Sequence, residues 1–205
     1  MPTVLTGPLP FPPAPTESDE KLWTREESRR LAQEERFAGR RWELIEGRLH
    51  ERQSQGRLHS LILLRLAMWL ESVFGREFVQ TQTPIDVSLD DAEINEPEPD
   101  LVALRRSAWN IQDRNPRPDE IALMVEASNS SLAIDLGVKT RLYARAGIAE
   151  YWVADLRGRR IVAHRSPSDG VYGEILVFES GDALAPLAHP DRRQPVESLL
   201  PTPEV

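Results

Sequence analysis

Asp100 in the segment Glu98-Pro99-Asp100, Glu126 after Val125, and Lys139 are the residues whose types and order best suit chemistry. An aspartate at the start of one strand and a glutamate at the end of a neighbouring one can point into a single cleft. Oxygen ligands of that kind suit Mg²⁺ or Mn²⁺, which keep several waters for the substrate side. A cation so held can generate a nucleophile from water, polarise a phosphoryl oxygen and stabilise the leaving oxygen. A lysine beside it adds positive charge where the transition state becomes more anionic. Each residue also has a plainer reading. Asp100 follows Pro99 in a turn, Glu126 is a solvated strand end, and Lys139 lies four residues after Asp135, the spacing of a surface helix pair.

Further candidates surround this set. Glu43 and Glu46 belong to an early hairpin and could act as metal ligands or orient a water; alternation puts Glu43 on a strand face, whereas Glu46 falls in the turn, where simple hairpin charge accounts for it. His59, early in a long helix, could contact phosphate or act as a base, or pack. Arg141 and Arg145 share a helix face and could grip phosphates or stay solvated. His50, His164 and His189 have no metal-ligand spacing, which argues against zinc. The acidic run through Asp90, Asp91, Glu93, Glu96 and Glu98 lacks the loop glycine and ligand pattern of an EF-hand, and reads as a solvated loop leading to Asp100. There is no Gly-rich phosphate loop, no G-x-S-x-G and no H-E-x-x-H.

The elements that must position these residues follow from pattern. Pro8, Pro10, Pro12, Pro13 and Pro15 block helix and ladder, so residues 1–22 read as a flexible tail and 23–205 as one domain. Thr24 and Glu27 form a capping box for a helix to about Phe37. Residues 41–45 and 48–52 alternate like strands around the two-residue turn Glu46-Gly47. A long helix is expected over 57–74, ended by Gly75, with Leu58, Ile62, Leu66, Trp69 and Val73 facing the core. Residues 78–82 and 85–87 are strand candidates, as is 101–104. The continuous apolar run 121–125 suits a strand buried on both faces. Asn129, Ser130 and Ser131 cap a helix from about 134 to 146, stopped by Gly147; residues 151–154 are another buried strand, and 161–164 with 174–178 form an antiparallel pair. Strand, helix, strand from 121 to 154, flanked by hairpins, indicates an α/β or α+β domain on a mixed sheet.

Composition sets the bounds. A net charge of -8 argues against nonspecific DNA coating by clustered Lys and Arg, yet leaves a nuclease open, because metal-binding carboxylates add negative charge that the cation offsets. The absence of cysteine removes disulfides, thiolate metal sites and cysteine nucleophiles, and fits a reducing cytoplasm. The first fifteen residues have no basic n-region, and the most apolar stretch, 58–70, is too short for a bilayer, so a soluble cytoplasmic protein without a membrane partner is expected.

The segment 41–47 with His59 and 98–102 resembles the Uma-type restriction endonuclease family of the PD-(D/E)XK nuclease superfamily. So do Met124-Val125-Glu126-Ala127-Ser128-Asn129-Ser130-Ser131-Leu132, Asp135-Leu136-Gly137-Val138-Lys139 and the stretch from Leu142 to Asp155. The resemblance runs from about Thr24 to about Pro201. It implies a restriction-endonuclease-like core, a central mixed sheet flanked by helices, and Mg²⁺-dependent hydrolysis of DNA. By position, Asp100 matches the metal-binding aspartate, Glu126 its acidic partner and Glu43 an additional acidic position. The superfamily's lysine normally lies two residues after that acid, where this chain has Ser128, so the resemblance implies that Lys139 supplies it from the following helix. A homodimer would let two symmetric sites cut both strands. A non-catalytic interaction module on the same fold, or a nuclease acting on RNA, are the other readings.

Overall fold

The computed structural model describes residues 1–5, 20–52 and 56–200. In chain order the elements are β1 (Thr3–Leu5), α1 (Arg25–Ala32), β2 (Trp42–Ile45), β3 (Arg48–Glu51), α2 (Arg57–Phe74), β4 (Val79–Thr81), β5 (Leu101–Leu104) and β6 (Ile121–Ser128). There follow α3 (Leu132–Ile134), a π-helical turn (Asp135–Lys139), α4 (Thr140–Arg145), β7 (Glu150–Asp155), β8 (Arg160–Ser168), β9 (Val171–Phe178), β10 (Ala183–Leu184), β11 (Gln194–Pro195) and α5 (Val196–Leu199).

Seven strands form one mixed sheet in the order β1-β9-β8-β7-β6-β5-β4. Only β6 and β7 are parallel, joined by the helical segment that contains Lys139; the other neighbours are antiparallel. Side chains alternate across a strand, and β6 is buried throughout because both its faces are covered. Leu123 and Val125 join a core with Ile62, Leu66 and Leu70 of α2. Met124 points the other way, into a core with Leu142 and Tyr143 of α4. Glu126 shares the parity of Met124 and so faces α4.

Several expectations are met closely. Arg57–Phe74 is one helix stopped at Gly75, and the Thr24–Glu27 capping box is formed at the start of α1. Glu46 and Gly47 both take positive φ, 47° and 73°, as a twisted two-residue hairpin turn requires. Others are corrected. The start of the chain is not wholly an unpaired tail, because Thr3–Leu5 pairs antiparallel with β9; residues 6–19, which carry the named prolines, lie outside the described residues. The first helix ends at Ala32, and a short 3-10 turn covers Glu35–Phe37. Residues 85–87 are no strand: Ile85 and Val87 are buried, but the Ile85 and Asp86 N–H groups bond to the carbonyls of Pro97 and Pro116, between loops. Leu58 is 48% exposed, since the buried face of α2 runs through Ile62, Leu63, Leu66, Ala67 and Leu70. The acidic run is not simply solvated either. Arg29 pairs with Glu96, Arg41 with Glu98 and Arg145 with Asp91.

Candidate functional site

The β5–β6 register pairs Leu101 with Val125. One step further, Asp100 lies opposite Glu126 on the same face of the sheet. The two are knitted together: the Asp100 N–H donates to Glu126 Oε2 at 3.2 Å, and the Ala127 N–H donates to Asp100 Oδ2 at 3.0 Å. Both side chains are buried.

Lys139 reaches this pair from the helical segment above that face. Its Nζ lies 2.9 Å from Glu126 Oε1, 2.8 Å from Glu43 Oε1 and 3.4 Å from Asp135 Oδ1, at 3% side-chain exposure. An ammonium has three donors, and here three carboxylates surround it. The helix is shaped to do this. At the π turn the Asp135 carbonyl accepts from the Thr140 hydroxyl (2.9 Å) and from the Tyr151 phenol on β7 (3.0 Å). Such turns widen a helix locally and occur often at functional sites. The Asp135 carboxylate is fixed in turn, since Oδ2 accepts from the Ser128 and Ser131 hydroxyls, each at 2.6 Å.

The hairpin β2–β3 supplies the third wall. It docks on the segment leading to Asp100 through an isolated bridge between Leu44 and Glu96, and through the Asn95 side chain, which accepts from the Glu46 N–H at 2.7 Å. That places Glu43 over Lys139 and His50 directly across the hairpin from Glu43. Just past β3, Arg52 Nη2 lies 2.7 Å from Asp100 Oδ1, and the same guanidinium donates to the Glu98 carbonyl. His59 Nε2 lies 3.6 Å from Asp100 Oδ2; it is buried with no hydrogen-bond partner among the described residues. Glu43, His50, Arg52, His59, Asp100, Glu126, Asp135 and Lys139 line one cleft of about 410 Å³, with Asn129, Ser130 and Ser131 at its side.

Charge dominates this cleft. Glu43, Asp100, Glu126 and Asp135 set four carboxylates around the two permanent cations Arg52 and Lys139, and Glu51 lines the same cleft. Burial raises the Glu126 carboxyl well above the usual range; Lys139 pulls it down, and repulsion from Asp135, Asp100 and Glu43 adds to the rise. Burial alone would lower Lys139, but Glu126 and Glu43 more than offset it, so the group stays an ammonium. Burial pushes the His50 imidazole down.

Among the described residues no three His, Asp or Glu side chains converge as a ready-made metal cage. The donor set nonetheless fits a hard divalent cation. Mg²⁺ is commonly held by one or two carboxylates, with water and substrate phosphate completing its shell. Asp100 and Glu126 offer such a pair, and the orphaned His59 nitrogen is a donor or acceptor facing the same place.

Asp100, Glu126, Lys139, Glu43 and His59 are thus brought together. Glu46 is not: it sits in the turn, 3.2 Å from Arg145, away from the cleft. Arg141 does not line the cleft either, and Arg145 is occupied by Asp91 and Glu46. Arg52, His50, Asp135 and Tyr143 were missed as site residues. Asp135, Lys139 and Tyr143 are spaced by four and share one helix face. The bulky Tyr143, whose hydroxyl is 3.4 Å from Glu126 Oε1, marks that face as inward, so the Asp135–Lys139 pair is real but buried, not on the surface.

A family model described as "Putative restriction endonuclease" (Uma2) matches residues 25–197. Among solved structures, the chain is similar to "a putative nuclease belonging to DUF820 from Anabaena variabilis ATCC 29413", at 19% identity and a TM-score of 0.60, over 86% of this chain and 97% of that one. At that identity the likeness speaks for the fold alone. No curated protein matches the chain.

Proposed function

The chain belongs to the Uma2 restriction endonuclease family, and from that premise we propose that it is a Mg²⁺- or Mn²⁺-dependent nuclease that hydrolyses phosphodiester bonds in DNA. One observation carries the reading: Asp100 and Glu126 stand opposite each other on one sheet face, with Lys139 on Glu126. Asp100 and Glu126 would hold the cation, which when bound supplies Lewis acidity and an activated water. Lys139 contributes fixed positive charge beside the reacting phosphate. It is no general base, because its carboxylate neighbours keep it protonated. Glu43 holds the ammonium from the hairpin side. The orphaned His59 nitrogen is available to a phosphate oxygen or a water. Ser128, where the superfamily's lysine would stand, instead donates to Asp135 and so ties the strand to the helix that carries Lys139.

The test is direct. Purified protein should nick plasmid and cut single-stranded DNA at low salt with Mg²⁺ or Mn²⁺, and Asp100→Ala or Glu126→Ala should each lower the rate by at least about a hundredfold, the scale of losing a principal electrostatic contributor. Intact DNA in both assays sinks the proposal, while cleavage of RNA alone redirects it to RNA. A second reading, a nuclease fold that binds without cutting, is favoured by one feature: Lys139 is already ringed by three carboxylates. A stoichiometric Mn²⁺ site by calorimetry, lost in Asp100→Ala, would count against it. Among the described residues no helix is long and apolar enough to cross a membrane. The reading is of a cytoplasmic enzyme acting as a homodimer, whose symmetric sites would serve the two strands.

A further inference from the structure

Among the described residues, the hydrogen bonds to the Asp100 and Glu126 oxygens come from donors that differ in kind. Two are backbone N–H groups, of Asp100 and Ala127, fixed by the sheet. Two more, Lys139 and Tyr143, come from fully packed side chains of the helical segment. The fifth is Arg52, at the end of a long side chain from the chain just beyond the hairpin, 15% exposed at the cleft. Arg52 alone among these can swing away without disturbing a secondary-structure element. Its other arm donates to the Glu98 carbonyl, two residues before Asp100, which would keep the released guanidinium at the cleft. A planar guanidinium matches phosphate oxygens as it matches a carboxylate.

We propose that Arg52 is the exchangeable counter-cation of Asp100: a divalent cation takes its place on Oδ1, and the freed guanidinium then binds a phosphate of the nucleic acid. The inference rests on the metal-site reading above and deepens it. Cation binding and nucleic-acid binding are then coupled through one side chain, and the coupling is reciprocal.

Calorimetric Mn²⁺ titration without nucleic acid reads the first half. Arg52→Gln should bind Mn²⁺ roughly tenfold more tightly than wild type, the size expected for removing one charge-assisted competitor. Arg57→Gln removes the same charge beside the cleft-lining Gly56 and measures the long-range effect alone. Equal gains in the two variants overturn the exchange. Fluorescence anisotropy with a short single-stranded oligonucleotide reads the second half. Arg52→Gln should lose roughly tenfold in affinity with Mg²⁺ present and little without it; an equal loss in both conditions overturns the proposal. If neither wild type nor Arg52→Gln binds Mn²⁺, the metal reading falls and this one with it, whereas binding with equal affinities removes this one alone. Should Arg52→Gln unfold, as checked by thermal melting, Arg52→Lys keeps the charge without the second arm and should shift both affinities in the same directions by a smaller factor.

Discussion

Lys139 is the residue on which the cluster balances. It faces three carboxylates at 3% side-chain exposure, and removing one partner from a buried ion cluster leaves charge that nothing else neutralises. Lys139→Met should therefore cost about 3 kcal/mol of stability, of the order found for breaking a buried pair, by urea unfolding at neutral pH. Adding Glu126→Gln to that variant should recover part of the loss, because one of the stranded charges goes with it; strictly additive single effects would show that the two residues do not act as a pair. Millimolar Mn²⁺ should stabilise the Lys139→Met protein more than wild type, since a second positive charge is then welcome beside Glu126.

The helical segment between β6 and β7 is where pattern reading stops short. Its inward face could be followed from the spacing of Asp135, Lys139 and Tyr143, but nothing in that spacing announces a π turn. In that turn the Asp135 carbonyl accepts from two side chains, those of Thr140 and of Tyr151, sixteen residues on from Asp135. Tyr151→Phe removes one of these donors inside the core and should cost about 1–2 kcal/mol, the penalty of under-satisfying a buried carbonyl. Its more telling effect should be local. Hydrogen exchange should quicken at residues 135–140 while β6 and β8 keep their protection; a uniform change across the sheet would mean that the phenol only packs. The same contrast explains what else could be foreseen. The hairpin and the end of α2 came from local signals, the Glu46-Gly47 turn and the glycine at 75, and they hold. Ile85 and Val87 misled because burial in a loop looks like burial in a strand, and Leu58 because it matches the period of α2 but lies off its buried face. The carboxylate pair was legible from Asp100 just before β5 and Glu126 after the apolar run, although β6 continues past Glu126 to Ser128. Arg52 was not, because its role comes from where the hairpin docks, which is set by Asn95 and the Leu44–Glu96 bridge far along the chain.

For the molecule as a whole, the sheet carries a titratable group away from the cleft that ties its stability to pH. His164 on β8 is fully buried between the rings of Tyr151 and Tyr172, at centroid distances of 5.5 and 5.6 Å, and its Nε2 has no partner among the described residues. Burial pushes the imidazole down from 6.5 to about 4, against a small opposing contribution from the Tyr151 carbonyl at Nδ1. The folded state thus refuses a proton that the unfolded chain accepts. Above pH 6.5 both states are neutral and the residue costs nothing; as pH falls from there towards 4, the unfolded state gains protons first and stability is lost. The whole effect is about 3 kcal/mol, with about 2 kcal/mol of it gone by pH 5. Glu120 adds to acid loss only further down, because Arg114 holds its carboxyl well below the usual carboxylate range, at about 2. His164→Phe, which keeps a flat ring in the same slot, should flatten the decline between pH 7 and pH 5 in chemical denaturation without abolishing the steeper loss below 4. If wild type and variant decline in parallel over that window, His164 already holds its proton in the folded sheet, and the buried imidazole would have to be charged against two tyrosine rings with no acid beside it.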